Sequence, residues 1–317
     1  MKLLLTGPQG QLGQALQARL AQGLAGSLSD IAIELHALGR DQLDLADAQA
    51  CREAVLALQP DWVLNAGAYT AVDRAEHEPD LARAVNALAP QALAQALAEL
   101  GRGRLLQLST DFVFAGDQGH PYAPEPLPAG AVQALGVYGQ TKAEGEQAVL
   151  DQLGAAGRAT VLRTSWAYGP LGRNFCLTMV RLHRERALIG ETLAVVADQV
   201  GCPTATSGPA GLADACCRLI EQVAAERPVP AVLHWSDAGA ASWYDFAVAI
   251  GDEAVAAGLL AAAAAVRPIT TADYPTPARR PGYSLLDCSS SREALGLQPL
   301  HWRAALRGVL QQLVAAA

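Results

Sequence analysis

Three glycines at positions 7, 10 and 13, in Thr6-Gly-Pro-Gln-Gly-Gln-Leu-Gly13, restrict this chain more than any other feature. They follow the apolar run Leu3-Leu4-Leu5 and lead into Gln14-Ala-Leu-Gln-Ala-Arg-Leu20, where apolar residues at 12, 16 and 20 repeat with helical spacing. A strand, a glycine turn and an amphipathic helix in that order form a unit whose backbone N–H groups face a pyrophosphate at the helix N-terminus. Gly7, Gly10 and Gly13 are therefore expected to bind a dinucleotide.

The chain then keeps alternating. Residues 31–38 read as a second strand, 46–58 as a helix, 62–66 as a strand, 81–100 as a long helix and 104–109 as another strand. Such alternation predicts an α/β fold, a Rossmann-type doubly wound parallel sheet with ligands gathered at the carboxyl ends of its strands. Two of those ends stand out. Asn65-Ala66-Gly67-Ala68 offers small side chains beside a dinucleotide, and Ser109-Thr110-Asp111 places hydroxyls where a substrate carbonyl would lie. The second strand ends in Gly39-Arg40-Asp41. An Arg there pairs with a 2′-phosphate, which favours NADPH with Arg40 facing the phosphate. Asp41 or Asp44 accepting a ribose hydroxyl leaves NADH possible.

Tyr138 and Lys142 lie four residues apart in Tyr138-Gly-Gln-Thr-Lys142, on one face of a helix. The ammonium is expected to lower the phenol pKa from about 10 toward working pH, so that the phenol protonates a carbonyl oxygen. A proton donor joined to a dinucleotide site means hydride transfer, and the chain reads as a reductase.

The rest of the chain fits an enzyme of small molecules. With 317 residues, 51% of them hydrophobic, there is enough chain for a dinucleotide-binding sheet and a smaller second lobe. We expect residues 1–169 to form the NAD(P)-binding domain and 170–317 to be mainly a substrate-binding lobe. Segments at about 205–225 and 232–258 are expected to return to the first domain. A helix is expected over 175–186. A net charge of −8 and the lack of a dense Lys/Arg run oppose nucleic-acid binding. The six cysteines, at 51, 176, 202, 216, 217 and 288, show no ligand spacing, so no metal site is inferred and they read as reduced core residues. The apolar stretch 254–266 has 13 residues against about 20 for a bilayer span, and Leu3 to Leu5 is too short for a signal-peptide core. A cytoplasmic protein is expected. It is expected to be a monomer or a homodimer, with no nucleic-acid or membrane partner.

The chain resembles the extended short-chain dehydrogenase/reductases, and among them the dTDP-4-dehydrorhamnose reductase family. The resemblance runs nearly end to end. It is carried by Gly7-x-x-Gly10-Gln-Leu-Gly13, by Asn65-Ala-Gly-Ala-Tyr-Thr-Ala-Val-Asp-Arg-Ala-Glu76 and by Ser109-Thr-Asp-Phe-Val-Phe-Ala-Gly116. Tyr138 to Lys142, Arg163-Thr-Ser-Trp-Ala-Tyr168, Asp198-Gln-Val-Gly-Cys-Pro-Thr204 and Tyr274-Pro-Thr-Pro-Ala-Arg-Arg-Pro281 continue it. The family implies NAD(P)H-dependent reduction of the C4 keto group of dTDP-4-dehydro-L-rhamnose, in nucleotide-sugar biosynthesis.

By that resemblance Tyr138, Lys142 and Thr110 are the catalytic residues: Tyr138 protonates the C4 oxygen, Thr110 holds it, and Lys142 binds the nicotinamide ribose. Gly10, Gln11 and Leu12 cover the pyrophosphate, while Asp44, Leu45, Ala66, Gly67 and Ala68 line the cofactor cleft. Asp111 and Trp166 hold the sugar, and Arg280, in the Pro-rich loop, reaches the nucleotide diphosphate. Related dehydratases carry a Glu after the Asp, where this chain has Phe112. Relatives described with Mg²⁺ use carboxylates, one of them where this chain has Ala15, so no metal is inferred, and any help from Mg²⁺ is expected to come without a protein cage. Tyr283 departs from the family's common Asn in that segment. Two other classes are open: a nucleotide-sugar epimerase or dehydratase, and a non-catalytic dinucleotide-binding regulatory subunit.

Overall fold

The computed structural model describes residues 1–127 and 134–315, and in it the glycine turn joins a buried strand to a helix. β1 (Lys2–Thr6) is buried from Leu3 onward, and α1 (Gln11–Leu20) starts directly after its N-cap, Gly10. β2 (Glu34–Leu38) begins later than the pattern at 31–38 predicts. The α2 helix (Ala48–Leu58) is capped by the Asp47 carboxylate, which accepts from the Ala50 N–H, and β3 (Trp62–Asn65) follows.

The expected long helix over 81–100 is built in pieces. α3 (Val72–Ala75) and α4 (Pro79–Arg83) lead into a π-helical segment, Ala84–Leu88, that continues as α5 (Ala89–Leu100). The wide turn carries Asn86, which is buried, toward the loop after β3. Its carbonyl accepts from the Tyr69 N–H at 2.9 Å, while its amide donates to the Tyr69 carbonyl at 3.1 Å and to the Thr141 hydroxyl at 3.2 Å. Asn86 thereby clips that loop to the helix bearing Tyr138 and Lys142. That helix is α6 (Val137–Leu153), set between β4 (Arg104–Thr110) and β5 (Ala159–Thr164).

Past β5 the chain passes back and forth between two bodies. β6 (Ala167–Tyr168), α7 (Phe175–Ile189), β7 (Leu193–Val196), β8 (Val200–Gly201) and β9 (Thr204–Ala205) come first. α8 (Leu212–Ala224) then packs on α1, and β10 (Val232–Trp235) pairs with β5. The six-stranded sheet has the order β10-β5-β4-β3-β1-β2, and every pair is parallel. Alternate residues feed its two faces. Leu3, Leu5, Leu64, Leu106 and Leu162 meet α1 and α8, while Leu4, Val63, Leu105 and Ala159 meet α2, α5 and α6. This is the doubly wound α/β arrangement.

β11 (Ala241–Ser242) pairs antiparallel with β8, and β12 (Val266–Ile269) pairs parallel with β7. α9 (Trp243–Ala256) buries Phe246 and Ile250 in a third core with Met179 of α7 and Leu306 and Leu310 of α11 (Trp302–Ala315). The expectation that all of 232–258 returns to the sheet is thus corrected beyond β10, because the apolar face of α9 is matched by α7 and α11. α10 (Ser289–Leu295) goes the other way and packs on β10 and α8.

Candidate active site

The carboxyl ends of β1, β3, β4 and β5 and the start of α1 enclose a cleft of about 440 Å³. Gly7, Gly10, Gln11, Leu12, Arg40, Asp44, Leu45, Ala66, Gly67, Ala68, Tyr138 and Lys142 all line it. Gly13 stands behind the lining: a Cβ there would meet the Gly7 carbonyl oxygen at 2.1 Å, so the helix starts against the turn itself. Gly7 has φ 64°, and a Cβ on it would lie 2.6 Å from the Gly67 Cα. The first and third strand-end loops therefore touch backbone to backbone. Arg40 is 78% exposed, its Nε 3.7 Å from Asp44 Oδ2, a weak surface pair that leaves guanidinium donors for an anion.

The cleft also holds two hydroxyls without partners. Ser109 Oγ and Thr164 Oγ1 are buried, make no hydrogen bond and line the cavity. Buried polar groups are almost always paired, so these two mark positions that a bound polar molecule completes. A cleft lined by the glycine turn and by these unpaired hydroxyls fits a dinucleotide.

Tyr138 lies in the first turn of α6, with the Phe112 ring edge-on at 5.5 Å. Burial pushes its phenol up to about 12; the Thr110 hydroxyl opposes this and the Asp111 charge adds to it. Lys142 is 3% exposed and donates from Nζ to the Leu108 carbonyl at 2.6 Å. The expectation that Lys142 lowers the Tyr138 pKa is corrected here, because the ammonium is turned to that carbonyl. Burial brings Lys142 down to about 8, and the charge of Glu146 one turn further on holds it up.

Glu146 itself is buried against Arg163, with Oε2 2.7 Å from NH2 and Oε1 3.0 Å from Nε. Arg163 NH1 donates to the Glu125 carbonyl and to His234 Nε2. Burial and the Arg163 charge push His234 down to about 3, so its ring is neutral and able to accept.

Asp111 sits beside Thr110 at 2% exposure, accepting from the Thr110 hydroxyl at 3.0 Å. Burial pushes its carboxyl up to about 6, with the Ser284 and Thr110 hydroxyls pulling back. Its Oδ2 has no partner of hydrogen-bonding geometry. An open buried acceptor beside Thr110 and Tyr138 suits a hydroxyl of a bound molecule.

Thr110, Asp111, Trp166 and Arg280 lie outside the cleft lining, Thr110 against Tyr138 at its edge. Trp166 has φ 45°, a conformation that strains a bulky residue by about 1 to 3 kcal/mol, and its indole stacks on that of Trp243. Arg280 is not the free cation expected for a diphosphate. Its NH2 and NH1 grip Asp73 at 2.9 and 3.1 Å, and NH1 also donates to the Thr276 hydroxyl. Asp73 comes from α3 and Arg280 from the Pro-rich loop, so the pair ties the two bodies together. Ser109 was expected among the strand-end hydroxyls, whereas sequence reasoning assigned no site role to Thr164, Ser284 or Trp243. The position of Thr164 at a strand end was a usable signal; Ser284 and Trp243 reach the site only through folding. Among the described residues, no group of three or more His, Cys, Asp or Glu side chains is placed to hold a metal ion.

The family model described as "RmlD substrate binding domain" matches residues 1–315. A Streptomyces antibioticus protein named a probable dTDP-4,6-dihydroxy-2-methyloxan-3-one 4-ketoreductase is 43% identical over 317 residues, covering 100% of this chain and 97% of that one. The dTDP-4-dehydrorhamnose reductase of Escherichia coli K12 is 37% identical over 314 residues, 99% of this chain and 98% of its own. The crystal structure of dTDP-4-dehydrorhamnose reductase from Bacillus anthracis in complex with NADP superposes with a TM-score of 0.80 at 31% identity, covering 98% of this chain and 99% of that one.

Proposed function

This chain belongs to the RmlD substrate binding domain family, that of the dTDP-4-dehydrorhamnose reductases, and on that premise we propose that it reduces the C4 keto group of dTDP-4-dehydro-L-rhamnose with NADPH to give dTDP-L-rhamnose. One observation carries the reading. Tyr138 and Lys142 open onto the same cleft as the glycine turn, with Thr110 and the open Oδ2 of Asp111 beside them. NADPH is favoured because Arg40 stands exposed at the end of β2, and the Bacillus anthracis relative holds NADP. The partner is a small nucleotide sugar, met in the cytoplasm. Among the described residues no helix is long and apolar enough to cross a membrane.

The dinucleotide, when bound, supplies the hydride. Tyr138 stays protonated at neutral pH, since its phenol is held near 12, and gives its proton to the C4 oxygen as negative charge develops there. The Thr110 hydroxyl, which donates to Asp111 in the free protein, turns its one proton to the same oxygen and shares that charge. Lys142, held against the Leu108 carbonyl, presents its remaining N–H donors to the nicotinamide ribose. Asp111 Oδ2 accepts from a sugar hydroxyl, and Trp166 offers the sugar an apolar wall. Phe112 packs against Tyr138 where a second carboxylate would assist elimination, which supports reduction over dehydration.

The 43% identity to a probable 4-ketoreductase with a different named substrate supports a second reading, the same chemistry on another dTDP-linked ketosugar. One assay separates the alternatives: loss of NADPH absorbance with dTDP-4-dehydro-L-rhamnose, for wild type and Tyr138→Phe. We expect one NADPH consumed per sugar, a rate about 10² to 10⁴ lower in the variant, and unchanged NADPH binding. Turnover only with the other ketosugar moves the assignment to the second reading. Sugar conversion without net NADPH loss points to an epimerase, and NADPH binding with no turnover of either sugar points to a regulatory subunit.

A further inference from the structure

Trp166 owes its position to two residues that lie behind it. With φ 45° its backbone sits where bulky residues are seldom found, so the ring direction has to be imposed by its surroundings. The Trp243 indole lies flat against it, with centroids 3.6 Å apart and planes 8° from parallel, and so covers one face. Gly201 supports the edge: a Cβ there would stand 2.8 Å from Trp166 Cε2 and 2.9 Å from its Nε1.

Gly201 and the strand directly before Trp243 belong to one small ladder, in which Ala241 pairs with Gly201 and Ser242 with Val200. Trp243 is the first residue of α9, fixed by a capping box. The Ser242 hydroxyl accepts from the Asp245 N–H at 3.0 Å, and the Asp245 carboxylate accepts from the Ser242 N–H at 2.9 Å. Behind it stands the Phe175 ring, 4.7 Å away. The same ladder reaches the polar side of the site. Val200 donates to the Gly282 carbonyl and accepts from the Ser284 N–H, and the Ser284 hydroxyl faces Asp111. A single rigid element therefore sets both the Trp166 ring and the surroundings of Asp111.

We propose that Trp243 is a positioning residue for the reduction: it does not touch the sugar, but with Gly201 it holds Trp166 as the wall against which the sugar ring packs. The proposal rests on the assignment of Trp166 to sugar contact made above. If Trp243 acts in this way, its loss weakens recognition of the sugar and leaves recognition of the nucleotide and of NADPH in place.

The experiment uses the full chain and compares Trp243→Ala, Trp243→Phe, Gly201→Ala, Trp166→Ala and the Trp166→Ala/Trp243→Ala double variant. Three quantities are measured: KM for the ketosugar nucleotide, the inhibition constant of dTDP, and KM for NADPH. Loss of one aromatic stack should raise the ketosugar KM about threefold to tenfold in Trp243→Ala, with the other two constants within about twofold. Trp243→Phe should recover most of the affinity, and Gly201→Ala should reproduce the defect by displacing the ring. Trp243→Ala should add nothing in the Trp166→Ala background. The indole exciton couplet in circular dichroism should vanish in Trp243→Ala, which reports the stack directly.

Equal losses for ketosugar, dTDP and NADPH would make Trp243 a general support of the lobe and overturn the proposal. So would an unchanged ketosugar KM in Trp243→Ala while Trp166→Ala raises it. An unchanged KM in Trp166→Ala removes the sugar-wall assignment beneath, and the proposal falls with it. Should Trp243→Ala fail to fold, Gly201→Ala and Trp243→Phe decide by the same three constants.

Discussion

Asp111→Asn should make the protein more stable and a poorer enzyme, and the stability gain should depend on pH. The Asp111 carboxyl is 2% exposed and burial raises it from 3.8 to about 6. The folded state then binds this proton more tightly than the unfolded chain does. Stability from the group is full below pH 3.8 and is lost as pH rises through the folded value. A shift of about 2 units at about 1.36 kcal/mol each corresponds to about 3 kcal/mol at pH 8, shrinking to about 0.5 kcal/mol at pH 4. Asn keeps an oxygen for the Thr110 hydroxyl and carries no charge to bury, so the variant escapes that penalty. Other raised carboxyls, such as Asp237 at about 8, are common to both proteins and cancel in the difference. Denaturant unfolding of both proteins without ligand, at several pH values from 4 to 8, gives the comparison. A stability difference that stays flat across that range would refute the reasoning, because the penalty would not come from ionisation. A growing difference with undiminished turnover would instead keep the burial argument and remove Asp111 from sugar binding.

Arg40→Asp should weaken NADPH binding by roughly 1 to 3 kcal/mol and NADH binding by less, checked as the ratio of the two Kd values; equal changes would place Arg40 away from the 2′-phosphate. Glu146→Ala leaves the Arg163 guanidinium buried without its carboxylate and should cost about 3 to 5 kcal/mol in denaturant unfolding; a loss below about 1 kcal/mol would show that the Glu125 carbonyl and His234 suffice. Arg280→Ala and Asp73→Ala should raise the ketosugar KM alike and without adding in the double variant, since each breaks the same bridge. A KM effect of Arg280→Ala alone would mean that Arg280 leaves Asp73 to meet the diphosphate.

The parts of the site that were readable in sequence are those made by local spacing. Gly7, Gly10 and Gly13 needed only their own turn, and Tyr138 and Lys142 only one helical face, so both were visible without tertiary information. Thr110 and Asp111 were visible as a strand end. Other features required partners remote in sequence. Arg280 is separated from Asp73 by most of the chain, so nothing near either residue reveals that each occupies the other. Trp243 meets Trp166 only because β11 pairs with β8. The direction of the Tyr138 shift was misjudged because spacing fixes the side of the helix that Lys142 occupies and not where its ammonium points. The Leu108 carbonyl claimed it. The allegiance of α9 was hidden for a similar reason, since an apolar helix face does not state which core will cover it.

The π-helical segment Ala84–Leu88 acts on the helix as a change of phase. One residue more than an α-helical turn holds rotates everything downstream by about 100° relative to everything upstream. Leu81 upstream, and Val85 within the segment, face the dinucleotide cleft; downstream, Leu93 and Leu97 face the sheet. An uninterrupted helix in one phase would present only one of those faces correctly. The extra residue lets a single continuous rod serve two neighbours whose directions do not differ by a whole number of turns, with Asn86 at the joint holding Tyr69 and Thr141. Helix-propensity design that regularised this segment would improve the local geometry and put the rod out of step with one of them.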